Sequence, residues 1–368
     1  MIKTENFLKC LKKSKINFYT GVPDSVLKKL SLYLDKKKKN QHIIATNEGS
    51  AVSLGIGYYL AKKKIAAVYL QNSGLGNAIN PLVSIAHKKV YSIPLLLIIG
   101  WRGFPGKKDE PQHQTKGAIT KKILNLLDIK TIILKHDFEL NKLKKLILFA
   151  KKNKKPVACL IQNNILSSNK KKIFNTPYPR GIKRYFAIEK ILKLIKKNTK
   201  IISTTGFTSR ELYQVRKNKK IFNGKDFYMV GGMGHSAMVA LGNSIFSKTE
   251  TVCLDGDGSA LMHLGSLSLC GNYGGKYFKY ILLNNSSHES VGGQLTLAKN
   301  INFEKISSSF GFRNFFHIQN IKNLEKKLKI FLKSKGPSFL EIKIKNETLK
   351  NLKRPKNLKK IKEMFLKA

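Results

Sequence analysis

Two short turns lie close together in the second half of the chain, Gly256-Asp257-Gly258 and Asn284-Asn285. The first would leave backbone amides and a helix N-terminus free to receive phosphate oxygens, with one carboxylate beside them for a cation. The second supplies neutral oxygen donors. Each turn follows an apolar run, TVCL and YFKYILL, and residues 259–283, 25 in all, lie between them. That is room for a helix and a returning parallel strand, so both turns should meet at the carboxyl edge of one sheet. Hard oxygen donors suit magnesium, and together the turns predict a magnesium diphosphate site. A lone Asp-Gly pair is usually only a turn. Two turns after two strands carry the expectation.

The elements that must present these turns alternate along the whole chain. INFYTGV ends in the turn Gly21-Val22-Pro23-Asp24, with Asp24-Ser25 placed to cap a helix. HIIATN precedes a helix opened by Glu48, and IAAVYLQ precedes a turn running from Asn72 to Asn77. SIPLLLII leads into a long polar loop, WRGFPGKKDEPQHQTKG, holding Arg102, Lys107, Asp109, Glu110 and His113, with the next helix expected from Ala118. Strands near Thr131 to Leu134 and at PVACLIQ complete a first domain over 1–165. Residues 166–185 read as a linker and 186–368 as a second domain, in which Gly231-Gly232-Met233-Gly234-His235-Ser236 opens a helix after a strand. This alternation predicts an α/β protein of two doubly wound parallel-sheet domains. In the first, Asp24, Glu48, Asn72 and Asn77 should share one sheet edge.

Composition bounds the partners. A chain of 368 residues with 42% apolar content can build two globular cores. The longest apolar run, Ile93 to Ile99, suits a buried strand and falls far short of a bilayer. The N-terminus mixes charges into an amphipathic pattern without the apolar core of a signal peptide, so a cytoplasmic protein with no membrane partner is expected. Cys10, Cys159, Cys253 and Cys270 are scattered, as reduced thiols would be. The net charge of +49 attracts polyanions in general. Its lysines, however, are spread along the whole length without an RNA-binding signature or aromatic platform. Non-specific adhesion at low salt is therefore expected, and specific nucleic-acid binding is not.

The GDG and NN turns at this spacing resemble the cofactor motif of the thiamine diphosphate enzymes. That resemblance implies that Asp257 and the Asn285 side chain bind Mg²⁺, with the Ser287 carbonyl as a third protein ligand. It puts Gly256, Gly258, Ser259 and Gly232 at the cofactor, and Met233 where related enzymes place an apolar wedge that bends it. Glu48 matches the glutamate that hydrogen-bonds N1′ of the aminopyrimidine; by itself it reads as a carboxylate favouring a helix N-terminus. A carboxyl in that role needs a dry pocket that raises its pKa.

TGVPDS, NEGSAV, YLQNSGLGNAINPL, IGWRGFPGKKDEPQH and STTGFTSREL narrow the likeness to the phosphonopyruvate decarboxylases and, less closely, their sulfopyruvate-acting relatives. The resemblance implies decarboxylation of a 2-oxo acid carrying a second anionic group, 3-phosphonopyruvate, to phosphonoacetaldehyde and CO₂ in phosphonate biosynthesis. Asp24 and His113 are then candidates for proton transfer, and Arg102, Lys107 and His288 for substrate contacts. Because such enzymes bind the cofactor between subunits, a homo-oligomer, at least a dimer, is implied. A sulfopyruvate decarboxylase would share nearly every motif. A carboligase such as acetolactate synthase would usually be longer, with a middle domain. A non-enzymatic basic binding protein would leave Glu48 and both turns without a role.

Overall fold

The computed structural model describes residues 1–169 and 176–367, and the chain divides into two compact units, Met1–Ile173 and Phe174–Ala368. The first holds strands β1 (Tyr19–Gly21), β2 (His42–Ile44), β3 (Ala66–Gln71), β4 (Leu95–Trp101), β5 (Lys130–Leu134) and β6 (Val157–Gln162). They form one parallel sheet in the order β2-β1-β3-β4-β6-β5. The second holds β7 (Lys200–Ser203), β8 (Lys225–Tyr228), β9 (Thr251–Gly256), β10 (Phe278–Asn284), β11 (Asn314–Ile318) and β12 (Ser338–Lys343). Its parallel order is β8-β7-β9-β10-β12-β11, the same path drawn again.

Burial on both faces explains why the central strands are unbroken apolar runs. Leu96 and Ile98 of β4 face one core while Leu95, Leu97 and Ile99 face the other. On β10, Ile281 and Leu283 divide from Tyr280 and Leu282 in the same way. In both sheets the chain reverses direction across the first strand, since β1 lies between β2 and β3 and β7 between β8 and β9. Loops leaving the carboxyl ends of strands at such a reversal part and leave a crevice, the usual ligand position in open α/β sheets.

Local details depart from expectation. The helix after the polar loop starts at Pro111 and not at Ala118, and runs Pro111–Leu126. Proline needs no N–H partner at a first helical position and has the right φ there. Asp24 and Ser25 do not cap the following helix, Lys28–Leu34, which starts after Leu27 with no side-chain cap. The single helix expected between the two second-half turns is divided into Asp257–Met262, Leu264–Ser266 and Leu267–Tyr273. Within the expected linker, Leu166–Ser167 pairs with Ile2–Lys3 in the first unit, and Arg184 begins the helix Arg184–Leu194 in the second; residues 170–175 lie outside the described residues. The basic tail ends in a helix, Leu358–Leu366, seated by buried Phe365. All four cysteines are free and buried. No described helix is long and apolar enough to cross a membrane.

Candidate active site

In the first unit, two buried carboxyls stand at the sheet's carboxyl edge. Glu48 opens the helix Glu48–Lys62, whose N-terminus is capped by the Asn47 side chain accepting from the Ser50 N–H at 2.9 Å. Its Oε2 accepts from Asn77 Nδ2 at 2.8 Å, and its other oxygen lies against Gly74, where an added Cβ would stand 1.9 Å away. Burial raises the Glu48 pKa, against the opposing pull of the Asn77 hydrogen bond and the Lys116 charge. Asp24, 1% exposed, accepts at Oδ2 from the Val26 and Leu27 N–H groups, both at 3.0 Å. Its Oδ1 is buried with no hydrogen-bond partner. Burial pushes this carboxyl up to about 6, although the backbone N–H groups and Arg102 pull the other way. Gly100 makes the arrangement possible, since a Cβ there would sit 2.0 Å from Asp24 Oδ2.

The long loop is organised by an ion pair that its sequence did not disclose. Arg102 donates from Nε to Asp109 Oδ2 at 2.8 Å and from Nη2 to Oδ1 at 2.5 Å, a two-pronged match of guanidinium to carboxylate. Asp109 also accepts from the Gly103 and Glu110 N–H groups, so it holds the loop together, and the pairing keeps its pKa well below the usual carboxylate range. Arg102 retains Nη1, which reaches Ser25 Oγ at 3.3 Å. Lys107 is exposed. His113 is half-buried in the first turn of the Pro111–Leu126 helix, its backbone packed on Gly103. Asn72 ties this loop to the Glu48 side: Arg102 N donates to Asn72 Oδ1 at 3.0 Å, and Asn72 Nδ2 donates to Arg102 O and Thr120 Oγ1, both at 2.9 Å.

In the second unit the two turns meet as their spacing required. Asp257 is 2% exposed and starts the helix Asp257–Met262. Its Oδ1 accepts from the Asn285 N–H at 3.3 Å and its Oδ2 from Thr296 Oγ1. Burial pushes it up to about 6, opposed by those hydrogen bonds and by the Arg184 charge. Asn285 accepts at Oδ1 from Ser287 N at 3.1 Å and donates from Nδ2 to Glu289 Oε2 at 3.1 Å. Ser287 Oγ is buried without a partner. Among the described residues no three His, Cys, Asp or Glu side chains cluster as a metal site. A cation here would rest on one carboxylate, an amide oxygen and backbone carbonyls, a donor set that fits Mg²⁺.

The glycine-rich loop comes to the same edge. Gly232 and Gly234 have φ of +66° and +90°, which only glycine adopts easily, and they flank half-buried Met233. Gly234 N donates to Ser259 Oγ at 3.0 Å, and Thr204 Oγ1 donates to the same oxygen at 2.9 Å. Ser259 thus joins the loop after β8 to the turns after β7 and β9. A Cβ on Gly258 would meet the His288 ring at 3.0 Å and Met233 Cε at 3.3 Å, so all three close around one small space. Burial lowers the His288 pKa to about 4. At neutral pH it is an uncharged hydrogen-bonding group. Thr296 and Arg184 were not foreseen, and Glu289 only as part of the segment after the second turn. Each reaches the site from a segment distant in sequence or without a motif of its own.

Residues 3–124 match the family described as thiamine pyrophosphate enzyme, N-terminal TPP binding domain. Residues 202–342 match the C-terminal TPP binding domain of the same enzymes. Fold and site therefore define a thiamine pyrophosphate enzyme with both cofactor-binding domains in one chain. Over 355 residues the chain is 32% identical to the phosphonopyruvate decarboxylase of Streptomyces viridochromogenes, covering 91% of this chain and 87% of that protein. For the phosphonopyruvate decarboxylase of Streptomyces hygroscopicus the figures are 30% over 377 residues, 97% and 91%. The sulfopyruvate decarboxylase of Methanosarcina acetivorans is 25% identical over 362 residues, covering 93% of this chain and 91% of its own length. The chain belongs to the phosphonopyruvate decarboxylase family of thiamine pyrophosphate enzymes.

Proposed function

We propose that this protein is a carboxy-lyase that removes CO₂ from 3-phosphonopyruvate, leaving phosphonoacetaldehyde, with thiamine diphosphate and Mg²⁺ as cofactors. The observation that carries the reading is end-to-end similarity to two phosphonopyruvate decarboxylases at 32% and 30% identity. When bound, thiamine diphosphate supplies the nucleophilic carbon and the sink for the electrons that CO₂ leaves behind. Asp257, the Asn285 amide oxygen and the Ser287 carbonyl would hold Mg²⁺. Gly256, Gly258, Ser259 and Gly232 would lie along the diphosphate, with Met233 shaping the cofactor.

Glu48 holds a proton for the aminopyrimidine N1′, and its buried, amide-bonded carboxyl supports that role. Asp24, held near 6 by burial, has an acid strength suited to proton transfer close to neutral pH, and it or His113 would supply the proton that replaces CO₂. The phosphonate has Arg102 Nη1, Lys107 and neutral His288 as candidate contacts. Most of the Arg102 fork is already committed to Asp109, so the arginine offers one edge only. The working form is a homo-oligomer, a dimer or higher, with cofactor sites between subunits.

The test is CO₂ release from phosphonopyruvate, sulfopyruvate and pyruvate, each with and without thiamine diphosphate and Mg²⁺. Turnover of phosphonopyruvate that is fastest of the three and lost without cofactor supports the proposal. Faster release from sulfopyruvate reassigns the substrate. Chain length does not separate the two, because the Methanosarcina acetivorans protein also aligns along nearly the whole chain.

A further inference from the structure

Arg184 lies at the start of its helix with its side chain 5% exposed, between two buried carboxylates. On one side Nη1 stands 3.5 Å from Glu211 Oε2; on the other Nη2 donates to Glu289 Oε2. Glu211 is fixed from behind, since its Oε1 accepts from Thr348 Oγ1 at 2.7 Å and from Leu349 N at 3.0 Å. The same Glu289 oxygen that takes Arg184 also takes Asn285 Nδ2. One run of contacts thus joins the segment at Thr348 to the side chain of Asn285 through three buried charges.

An asparagine amide is nearly symmetric in shape and opposite in chemistry at its two ends: the oxygen accepts and the nitrogen only donates. A cation is bound by one orientation and repelled by the other. Glu289 Oε2, which already takes the Arg184 Nη2 N–H, can accept only the nitrogen end, and Arg184 keeps that acceptor in position. The oxygen end is then left beside Ser287 N and the Asp257 turn. We infer that Glu289, clamped by Arg184, is a positioning residue that fixes the rotation of the Asn285 amide so that its oxygen faces the cation. This rests on the reading of Asp257, Asn285 and Ser287 as the cation's ligands. Partners of metal ligands that act in this way typically change affinity by about 10–100-fold when removed.

The test is Mg²⁺ titration of the full-length protein at saturating thiamine diphosphate, by calorimetry, with the Mg²⁺ dependence of turnover measured beside it. Glu289→Met removes the acceptor while leaving Arg184 and Glu211 as a one-to-one pair, so the fold should survive. Its Kd for Mg²⁺ should rise by about 10–100-fold, with kcat largely recovered at high Mg²⁺. Glu289→Gln, whose one oxygen can still take both donors, should restore most of the affinity. Thr348→Val loosens the far end of the network; it should lower the melting temperature and leave the Mg²⁺ affinity near wild type. Wild-type Mg²⁺ affinity in a folded Glu289→Met protein overturns the inference, as does a loss in Glu289→Met that Glu289→Gln shares in full. Asp257→Asn tests the ligand reading separately. If that variant binds Mg²⁺ like wild type, the ligand set and the inference fall together; if it loses Mg²⁺ while Glu289→Met does not, only the inference falls.

Discussion

The same hydrogen bond is built twice in this chain, once in each unit. After β3, Asn72 Oδ1 accepts from the Arg102 N–H that follows β4, at 3.0 Å; after β9, Asp257 Oδ1 accepts from the Asn285 N–H that follows β10, at 3.3 Å. An amide closes the first crossing, because its own NH₂ group satisfies Arg102 O and Thr120 Oγ1. A carboxylate stands at the second, where Thr296 Oγ1 donates to its other oxygen. It has no donor to give, burial has raised its pKa to about 6, and Arg184 is occupied by Glu289 and Glu211. One fold position therefore carries an amide in the first unit and a carboxylate in the second, and in the proposed reading that single side-chain atom separates a finished turn from a cation site. In the first unit the buried carboxyls Asp24 and Glu48 stand instead after β1 and β2, and burial raises the pKa of both. Repeating a sheet has not repeated its chemistry.

If proton handling belongs to the first unit, Glu48→Gln should lower kcat by about 10²–10⁴-fold while leaving cofactor binding measurable. Steady-state CO₂ release would show it, and near-wild-type turnover would break the division of labour. If cation handling belongs to the second unit, Asp257→Asn should abolish the rise in stability on adding Mg²⁺ with thiamine diphosphate. For wild type that rise is about 2.7 kcal/mol at a ligand concentration 100 times Kd. The apo variant should be no less stable than wild type, as thermal unfolding would report. The converse exchange, Asn72→Asp, should destabilise the first unit by about 1–3 kcal/mol. It takes the donor from Arg102 O and Thr120 Oγ1 and buries a charge, and urea unfolding would measure the loss.

The last effect concerns pH. The folded Asp24 carboxyl, at about 6, holds its proton more tightly than the unfolded one, at about 3.9. Its contribution to apo stability is present at low pH and should be lost as pH rises from about 4 to about 6. Asp24→Asn should reduce that slope, and an unchanged slope would remove Asp24 from the buried proton holders.

Much of this was readable because strand and turn are coded locally. TVCL-DGDG and YFKYILL-NN each state a buried run and then its end, and the parallel crossover between them follows from length. Glu48 was readable in position for the same reason. What the chain could not disclose depends on pairing across the fold. Arg102 and Asp109 look like two free charges in a polar loop, and only the folded loop shows them locked together. Arg184 sits in a stretch read as linker, yet its partners are 27 and 105 residues further on, at Glu211 and Glu289. Pro111 did carry a local sign of a helix start, hidden by the polar sequence around it. The break at His263 shows in its backbone, φ −136° and ψ 49°, and had no sequence signal that we can identify.

Gly74 touches neither substrate nor cofactor in the proposed scheme, yet a methyl group there would fall 1.9 Å from Glu48 Oε1. A carboxylate at the end of a flexible side chain moves aside more readily than backbone does. The protein should therefore fold and express with Glu48 displaced. At Gly100 a methyl group would fall 2.0 Å from Asp24 Oδ2 and also 3.0 Å from Val26 Cβ. In a screen that scores abundance and turnover separately, alanine at these two glycines should group with substitutions of Glu48 and Asp24 and not with the core. The mutational target of this enzyme is wider than its set of reacting groups.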